Sequence, residues 1–352
     1  MEYKRLGDYI EPVDERNSKL EIKLSQGICN EKYFQDPRQV AENSTADKIV
    51  RQGYFAYNRA TTRNGEKISI AYREGPDCTV SSAYQVFKIK DEEKLNPKYL
   101  LMWYKRSDFD RYARFKSHGS AHEFFEYEEM CDVKLPIPSI TRQREIVSEY
   151  ETLTNRIRLN NQMIQHLEAT AQALYRKTFV DNIDKENLPE GWRMGTLEEI
   201  AEIKNGKAIL PNGGNIAVYG GNGIVGYTND SNAEGVVVIG RVGINCGSLY
   251  LNQSSCYVND NAMMAIPKDG NTIFLYRTLM EMDLNSQSEG SGQPLLTQSI
   301  IYKQECLIPK QEQCIEFEEQ MRIVYKQKYL IEQENEKLTE LQSLLLAKMG
   351  QK

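Results

Sequence analysis

The chain has 352 residues, of which 40% are hydrophobic and 27% charged, a soluble globular balance with room for two or three domains with real cores. Its net charge of −6 argues against nucleic-acid binding through bulk positive charge, although local distribution can override the total. Seven cysteines are scattered without a C-x-x-C spacing, so neither a disulfide framework nor a metal site is expected. No signal peptide opens the sequence and no apolar run approaches the length of a membrane span, which leads us to expect a cytoplasmic protein without a membrane partner.

In chain order, Leu6-Gly7-Asp8-Tyr9-Ile10-Glu11 begins a first globular segment, and Leu197-Glu198-Glu199-Ile200-Ala201-Glu202 begins a second with a similar amphipathic pattern. The β-rich runs Tyr54–Arg59 and Val236–Arg241 follow, each ending in an arginine. Cys78-Thr79-Val80 is matched by Cys256-Tyr257-Val258, and Pro97-Lys98-Tyr99-Leu100 by Thr272-Ile273-Phe274-Leu275 at the start of a short helix. Ser117-His118-Gly119-Ser120 matches Ser288-Glu289-Gly290-Ser291, and each is followed by an Ile-Pro pair, Ile137-Pro138 and Ile308-Pro309. Such a colinear series is hard to obtain without internal duplication. The glycine-rich Tyr219–Gly223 lacks a following G-K-[ST] and reads as a tight turn before it reads as a ligand loop. The cluster Lys105, Arg106, Arg111, Arg114 and Lys116 is basic, and by charge alone a solvated helix face accounts for it.

Each segment leads into a long helix. In the first, Ile146, Tyr150, Leu153, Ile157, Asn160, Ile164, Leu167, Ala171 and Leu174 alternate at steps of four and three, the seam of a coiled coil. Forty such residues would rise roughly 60 Å, enough for a spacer between bodies. The second helix carries a less apolar seam at Phe317, Met321, Val324, Lys328, Ile331, Asn335, Leu338, Gln342 and Leu345. Run antiparallel, Ile157 would face Leu338, Ile164 would face Ile331, and Asn160 and Asn335 would meet as a register lock. The expected fold is therefore α+β: two pseudo-repeated α/β domains, residues 1–140 and 192–309, separated by two long helices that form an antiparallel coiled coil. The helices are placed at 141–182 and 310–352, with a polar linker at 183–191.

Catalytic patterns are missing. There is no H-E-x-x-H, G-x-S-x-G, Walker lysine or dinucleotide fingerprint, and no N-P-P-[FY] tetrapeptide of the kind that holds a flipped base. His118 and His122 flank Gly119 and Ser120, which favours a loop over a metal pair. The residues thus point to a non-catalytic binding and assembly component.

The central run Gln172–Asp181, then Leu188-Pro189-Glu190-Gly191-Trp192 and Leu197–Ala201, resembles the central region of the DNA-specificity subunit of type I restriction-modification systems. Arg142-Gln143 and Glu312-Gln313, just inside the two long helices, resemble that family's hand-over from domain to helix. One departure is Thr178, where the family commonly has tryptophan. The resemblance covers the whole chain. It implies two target-recognition domains, each reading half of a split site on double-stranded DNA. It also implies a coiled coil that docks two modification (methyltransferase) subunits, joined by restriction/translocase subunits. No cofactor is expected in this chain; S-adenosylmethionine, ATP and magnesium would reside on those partners. The alternative is a coiled-coil scaffold that holds two ligand-binding domains and never meets DNA.

On that reading, loop residues able to reach base edges or phosphates are the candidate contacts. In the first domain they are Tyr57, Asn58, Arg59, Arg63, Arg114, Lys116, Ser117 and Ser120; in the second, Tyr219, Asn222, Tyr227, Arg241, Asn245, Ser291 and Gln293. Arg59 and Arg241 lead, because they hold equivalent places and arginine is the commonest bidentate reader of guanine, although each could instead pair with a carboxylate of its own domain.

Overall fold

Strand order carries the repeat further than the sequence does. A computed structural model describes residues 2–37, 44–60, 67–118, 123–181, 183–288 and 294–351. The chain divides into two units, Met1–Leu159 with Glu334–Lys352, and Asn160–Gln333. The first unit contains β1 (Tyr3–Arg5), β2 (Ile10–Val13), β3 (Gly27–Ile28), β4 (Phe34–Gln35), β5 (Lys48–Val50), β6 (Phe55–Asn58), β7 (Ile70–Tyr72), β8 (Cys78–Val80) and β9 (Tyr84–Ile89). Helices α1 (Pro97–Tyr104), α2 (Ser107–Lys116) and α3 (Tyr127–Cys131) and strand β10 (Lys134–Pro136) complete its globular part, and α4 (Ile140–Phe179) follows. The second unit contains β11 (Arg193–Thr196), α5 (Leu197–Ile200), β12 (Ala201–Asn205), β13 (Ile216–Gly220), β14 (Gly223–Thr228), β15 (Ala233–Gly240), β16 (Leu249–Val258) and β17 (Ala262–Pro267). Helices α6 (Thr272–Met280) and α7 (Gln298–Tyr302) and strand β18 (Glu305–Ile308) lead into α8 (Gln311–Lys348).

The main sheet of the first unit has the order β2-β9-β6-β7, and that of the second β12-β17-β15-β16-β13-β14. Its first four strands repeat the first sheet one for one, and the β13–β14 hairpin is an addition. The terminal strands repeat too: β1 pairs antiparallel with β10, and β11 with β18. Even single bonds are equivalent. Phe125 N donates to Arg59 O at 2.9 Å, and Leu296 N donates to Arg241 O at 2.9 Å. Both strands that precede those arginines, β6 and β15, lie inside their sheets, and the apolar residues nearest the arginines, Phe55, Ala56 and Tyr57 in β6 and Val236, Val237, Val238 and Ile239 in β15, are buried.

Two differences separate the copies. Helix α2 has no helical counterpart among the described residues of the second unit. The match of Cys78–Val80 with Cys256–Val258 holds in chain order but not in pairing: β8 runs antiparallel to β5, whereas the end of β16 runs parallel to β13. Pro76, which has no N–H to donate to a ladder, lies between β7 and β8, while β16 continues for ten residues.

Each unit folds its globular part onto both long helices. In the first, Val147 and Met349 join the core of Leu6, Phe55, Phe87, Tyr99 and Tyr104, with Tyr150 and Leu346 packed against it. In the second, Ala171, Tyr175 and Phe179 of α4 meet Phe317, Met321 and Tyr325 of α8 around Trp192 and Phe274. The buried face of α4 there steps by four residues and departs from the seven-residue seam, because α6 packs on the helix pair as a third element. Leu174 is only half-buried, and Tyr175 and Phe179, absent from the predicted seam, are buried.

The seam positions Tyr150, Leu153, Ile157, Ile164, Leu167, Val324, Ile331, Asn335, Leu338 and Leu345 are half-buried as well, and Asn160 is buried. The helices run antiparallel in both units. In the first, Gln342 Nε2 donates to Thr154 Oγ1 at 2.7 Å and Arg156 pairs bidentately with Glu334. In the second, Lys328 lies 2.6 Å from Glu168, which also accepts from the buried Arg277 of α6 at 2.5 Å.

A buried amide fastens α1 to the long helix. Gln143, fully buried, accepts from Asn96 N at 2.8 Å and donates to Lys94 O and Pro138 O, both at 2.9 Å. Asn96 in turn caps α1 by accepting from Lys98 N and Tyr99 N. Replacing Gln143 by alanine strands these groups, and a loss of about 1–3 kcal/mol is expected in urea unfolding. A change within the error of the melt would contradict this account of the junction.

The second unit uses a carboxylate in the corresponding role. Glu318, buried in α8, accepts from Ile273 N at 2.9 Å and Phe274 N at 3.1 Å, the first-turn donors of α6. Burial pushes its carboxyl above the ordinary value of 4.5, and the two N–H donors only partly oppose this. The folded state therefore holds the proton more tightly than the unfolded state. The stability this group contributes is fully present below about 4.5 and is lost as pH rises through the folded value. Wild type should lose stability relative to Glu318→Gln between pH 4.5 and neutrality. Parallel urea midpoints of the two proteins across that range would contradict the assignment.

Candidate nucleic-acid interface

In the first unit the end of β6 delivers Asn58 and Arg59. Tyr57, one residue earlier, is not a contact: it is fully buried, with its ring 6.2 Å from Phe87 and 6.0 Å from Phe125. The strand's alternation turns it inward. Asn58 Oδ1 accepts from Ala60 N and so shapes the turn. Arg59 donates to Ala83 O at 3.2 Å, pairs with Glu126 at 3.3 Å and lies over the Phe124 ring. The carboxylate pairing foreseen as its alternative is thus present.

Beside Arg59 is an open cavity of about 440 Å³ that also takes in Arg16, Lys48, Asp14, Ser82 and Gln85. Arg16 and Lys48 face each other across an isolated antiparallel bridge, and both reach Asp14, at 2.8 and 3.4 Å. Burial lowers the Lys48 ammonium's pKa, with Asp14 opposing. Three cations meet two carboxylates here, so the pocket carries local positive charge in a chain of negative total. Sequence reading missed Arg16 and Lys48 because they are thirty-two positions apart and only the strand bridge joins them.

The other contacts expected in this unit are engaged within it. Ser117 is buried and donates to Ala113 O at 2.7 Å, one helical turn back. Arg114 lies 3.6 Å from Glu123, and Lys116 lies 3.2 Å from Glu129. The basic cluster on α2 is to that extent the solvated helix face that charge alone suggested. Arg63 and Ser120 lie outside the described residues, as do Ser291 and Gln293 of the second unit.

In the second unit three loops converge. Gly220 and Gly223 pair across the β13–β14 hairpin, which makes Gly221-Asn222 a two-residue turn and places Asn222 exposed at its tip. A side chain on Gly240 would overlap Asn245 O and crowd Gly221 O, so only glycine lets the hairpin tip, the end of β15 and the loop after it approach. Arg241, Asn222 and Asn245 therefore belong to one surface region. Arg241 pairs with no carboxylate among the described residues, and its buried Nε finds no acceptor there. Tyr219 is half-buried, with its ring 6.3 Å from Tyr250, whereas Tyr227 is 47% exposed.

The same region presents apolar side chains that periodicity could not single out. Ile244 is 91% exposed between Arg241 and Asn245, and Ile224 and Val225 are each 50% exposed on the hairpin. Apolar groups of this kind suit thymine methyls, as arginine and asparagine suit guanine and adenine edges. The described residues include no cluster able to hold a metal ion. No described helix is long and apolar enough to cross a membrane.

The family model for the type I restriction modification DNA specificity domain matches residues 39–169 and again residues 189–344. The second match covers its copy of the repeat from before β11, the first begins after β4 of its copy, and each enters the long helix that follows. The chain belongs to this family, and its role is DNA specificity in type I restriction-modification. Among solved structures it is similar to the S subunit of a type I restriction-modification system from M. genitalium, at 14% identity and a TM-score of 0.67, covering 100% of this chain and 96% of that one. It is also similar to a chain from a study of complex assembly and conformational transition of the type I R-M system, at 18% identity and a TM-score of 0.50, covering 99% and 97%. No curated protein sequence is significantly similar to it.

Proposed function

We propose that the chain is the specificity subunit of a type I restriction-modification complex, in which each globular domain reads one half of a bipartite target on double-stranded DNA. The observation that carries this reading is the double family match, which coincides with the duplicated strand order. Two equivalent readers on one chain suit two half-sites. The long helices set the spacer between the half-sites and dock two modification subunits. Those subunits supply S-adenosylmethionine chemistry, and restriction/translocase subunits with ATP and magnesium join them in the cytoplasm. The chain itself is non-catalytic on this reading. The scaffold alternative, in which the domains bind something other than DNA, is not favoured by a family defined by DNA specificity.

A gel-shift titration of the complex with modification subunits on random-sequence DNA tests it. Saturable, sequence-selective retention is expected. No retention at low salt would return the scaffold reading.

A further inference from the structure

Four cations of the cluster after α1 face carboxylates: Arg106 and Arg111 share Asp108, Arg114 lies near Glu123, and Lys116 near Glu129. Lys105 differs. Its ammonium has no carboxylate or carbonyl partner among the described residues and sits 5.4 Å from the centroid of the Tyr150 ring. It turns into a cavity of about 250 Å³ whose walls include Lys32, Lys67, Glu31, Asp110, Tyr150 and Leu346. The two acids are already engaged. Asp110 Oδ1 accepts from Lys32 Nζ at 2.6 Å and from Ile68 N at 3.1 Å, and Glu31 lies 2.8 Å from Lys67. Lys32 also donates to Ile68 O, which leaves one of its three protons unassigned.

Three ammonium groups and two carboxylates thus line the walls, and Lys105 is the one of the three ammoniums without a carboxylate in contact; its nearest counter-charge, Glu74, lies 3.0 Å from Lys98. Burial disfavours the Lys105 charge and lowers its pKa, with Glu74 partly opposing. A half-buried cation with no carboxylate in contact is costly to hold, and a polar cavity beside it is where an anion would relieve that cost. The ammoniums stand on different walls, an arrangement that suits an anion with several acceptor oxygens better than a planar carboxylate. We propose that this cavity is a binding site for a phosphate-type oxyanion, with Lys105 as its principal ligand and Lys32 and Lys67 as flanking donors. Free phosphate and a phosphate of the DNA backbone share this chemistry.

Calorimetric titration of inorganic phosphate into the full chain at constant ionic strength tests the site. One saturable site is expected in the wild type, at least tenfold weaker in Lys105→Met and partly retained in Lys105→Arg. Absence of a saturable site in the wild type would overturn the proposal whether or not the variants fold, and equal affinity in wild type and Lys105→Met would also overturn it. The source follows from DNA binding by the complex with its modification subunits. If the anion is a DNA phosphate, Lys105→Met reduces the slope of log affinity against log salt by about one, and an unchanged slope assigns the site to a free anion. Only this second arm rests on the proposed function, so failure of DNA binding leaves the phosphate titration decisive.

Discussion

Replacing Arg241 by alanine is expected to relax recognition in one half-site and leave the other intact. The arginine follows β15, approaches the hairpin tip and Asn245 through the contact at Gly240, and has no carboxylate partner among the described residues to hold it back. Loss of a bidentate base contact costs about 1–3 kcal/mol of discrimination. Arg59→Ala is expected to do less, because Arg59 already pairs with Glu126 and bonds Ala83 O, and must give these up to reach a base. Methylation footprints on a randomised target library read both effects at once. Equal relaxation of both half-sites by Arg241→Ala would mean that the two copies do not read separately.

Adding one heptad after Gln165 of α4, with a matching heptad after Leu330 of α8, is expected to lengthen the preferred spacer without altering either half-site. Seven helical residues rise roughly 10 Å, about 3 bp of B-DNA. The insertion points, both within the stretch Asn160–Gln333, leave these cross-helix contacts in place. Glu168 stays with Lys328 in the second unit, and Thr154 stays with Gln342 and Arg156 with Glu334 in the first. A four-residue insertion would add about half that length and rotate one reader about the helix axis, so activity should fall more than with the full heptad. Full activity on the original spacer would reject the helices as a ruler.

Duplication and the two long helices were legible because each is written in local pattern: colinear short matches and a four-three spacing. The recognition surfaces were less legible. Tyr57 looked like a loop-edge aromatic, but the alternation of a central strand puts it inside, and only the pairing of β6 with β9 fixes which way it turns. Arg16 and Lys48 come together through strand pairing, which no sequence spacing announces. The shift of the α4 face to Tyr175 and Phe179 depends on α6 as a third packing partner, which a two-helix seam cannot anticipate. Asn222 was the opposite case. A G-N-G turn between alternating strands dictates an exposed tip, and the hairpin has one.

The central claim, two readers on one helical spacer, is tested most directly by sequencing the methylome of cells that carry this chain with its modification subunits and no other specificity subunit. The account predicts one bipartite motif: two short defined half-sites separated by a run of unspecified bases of fixed length. A single contiguous motif, or half-sites at variable separation, would contradict it.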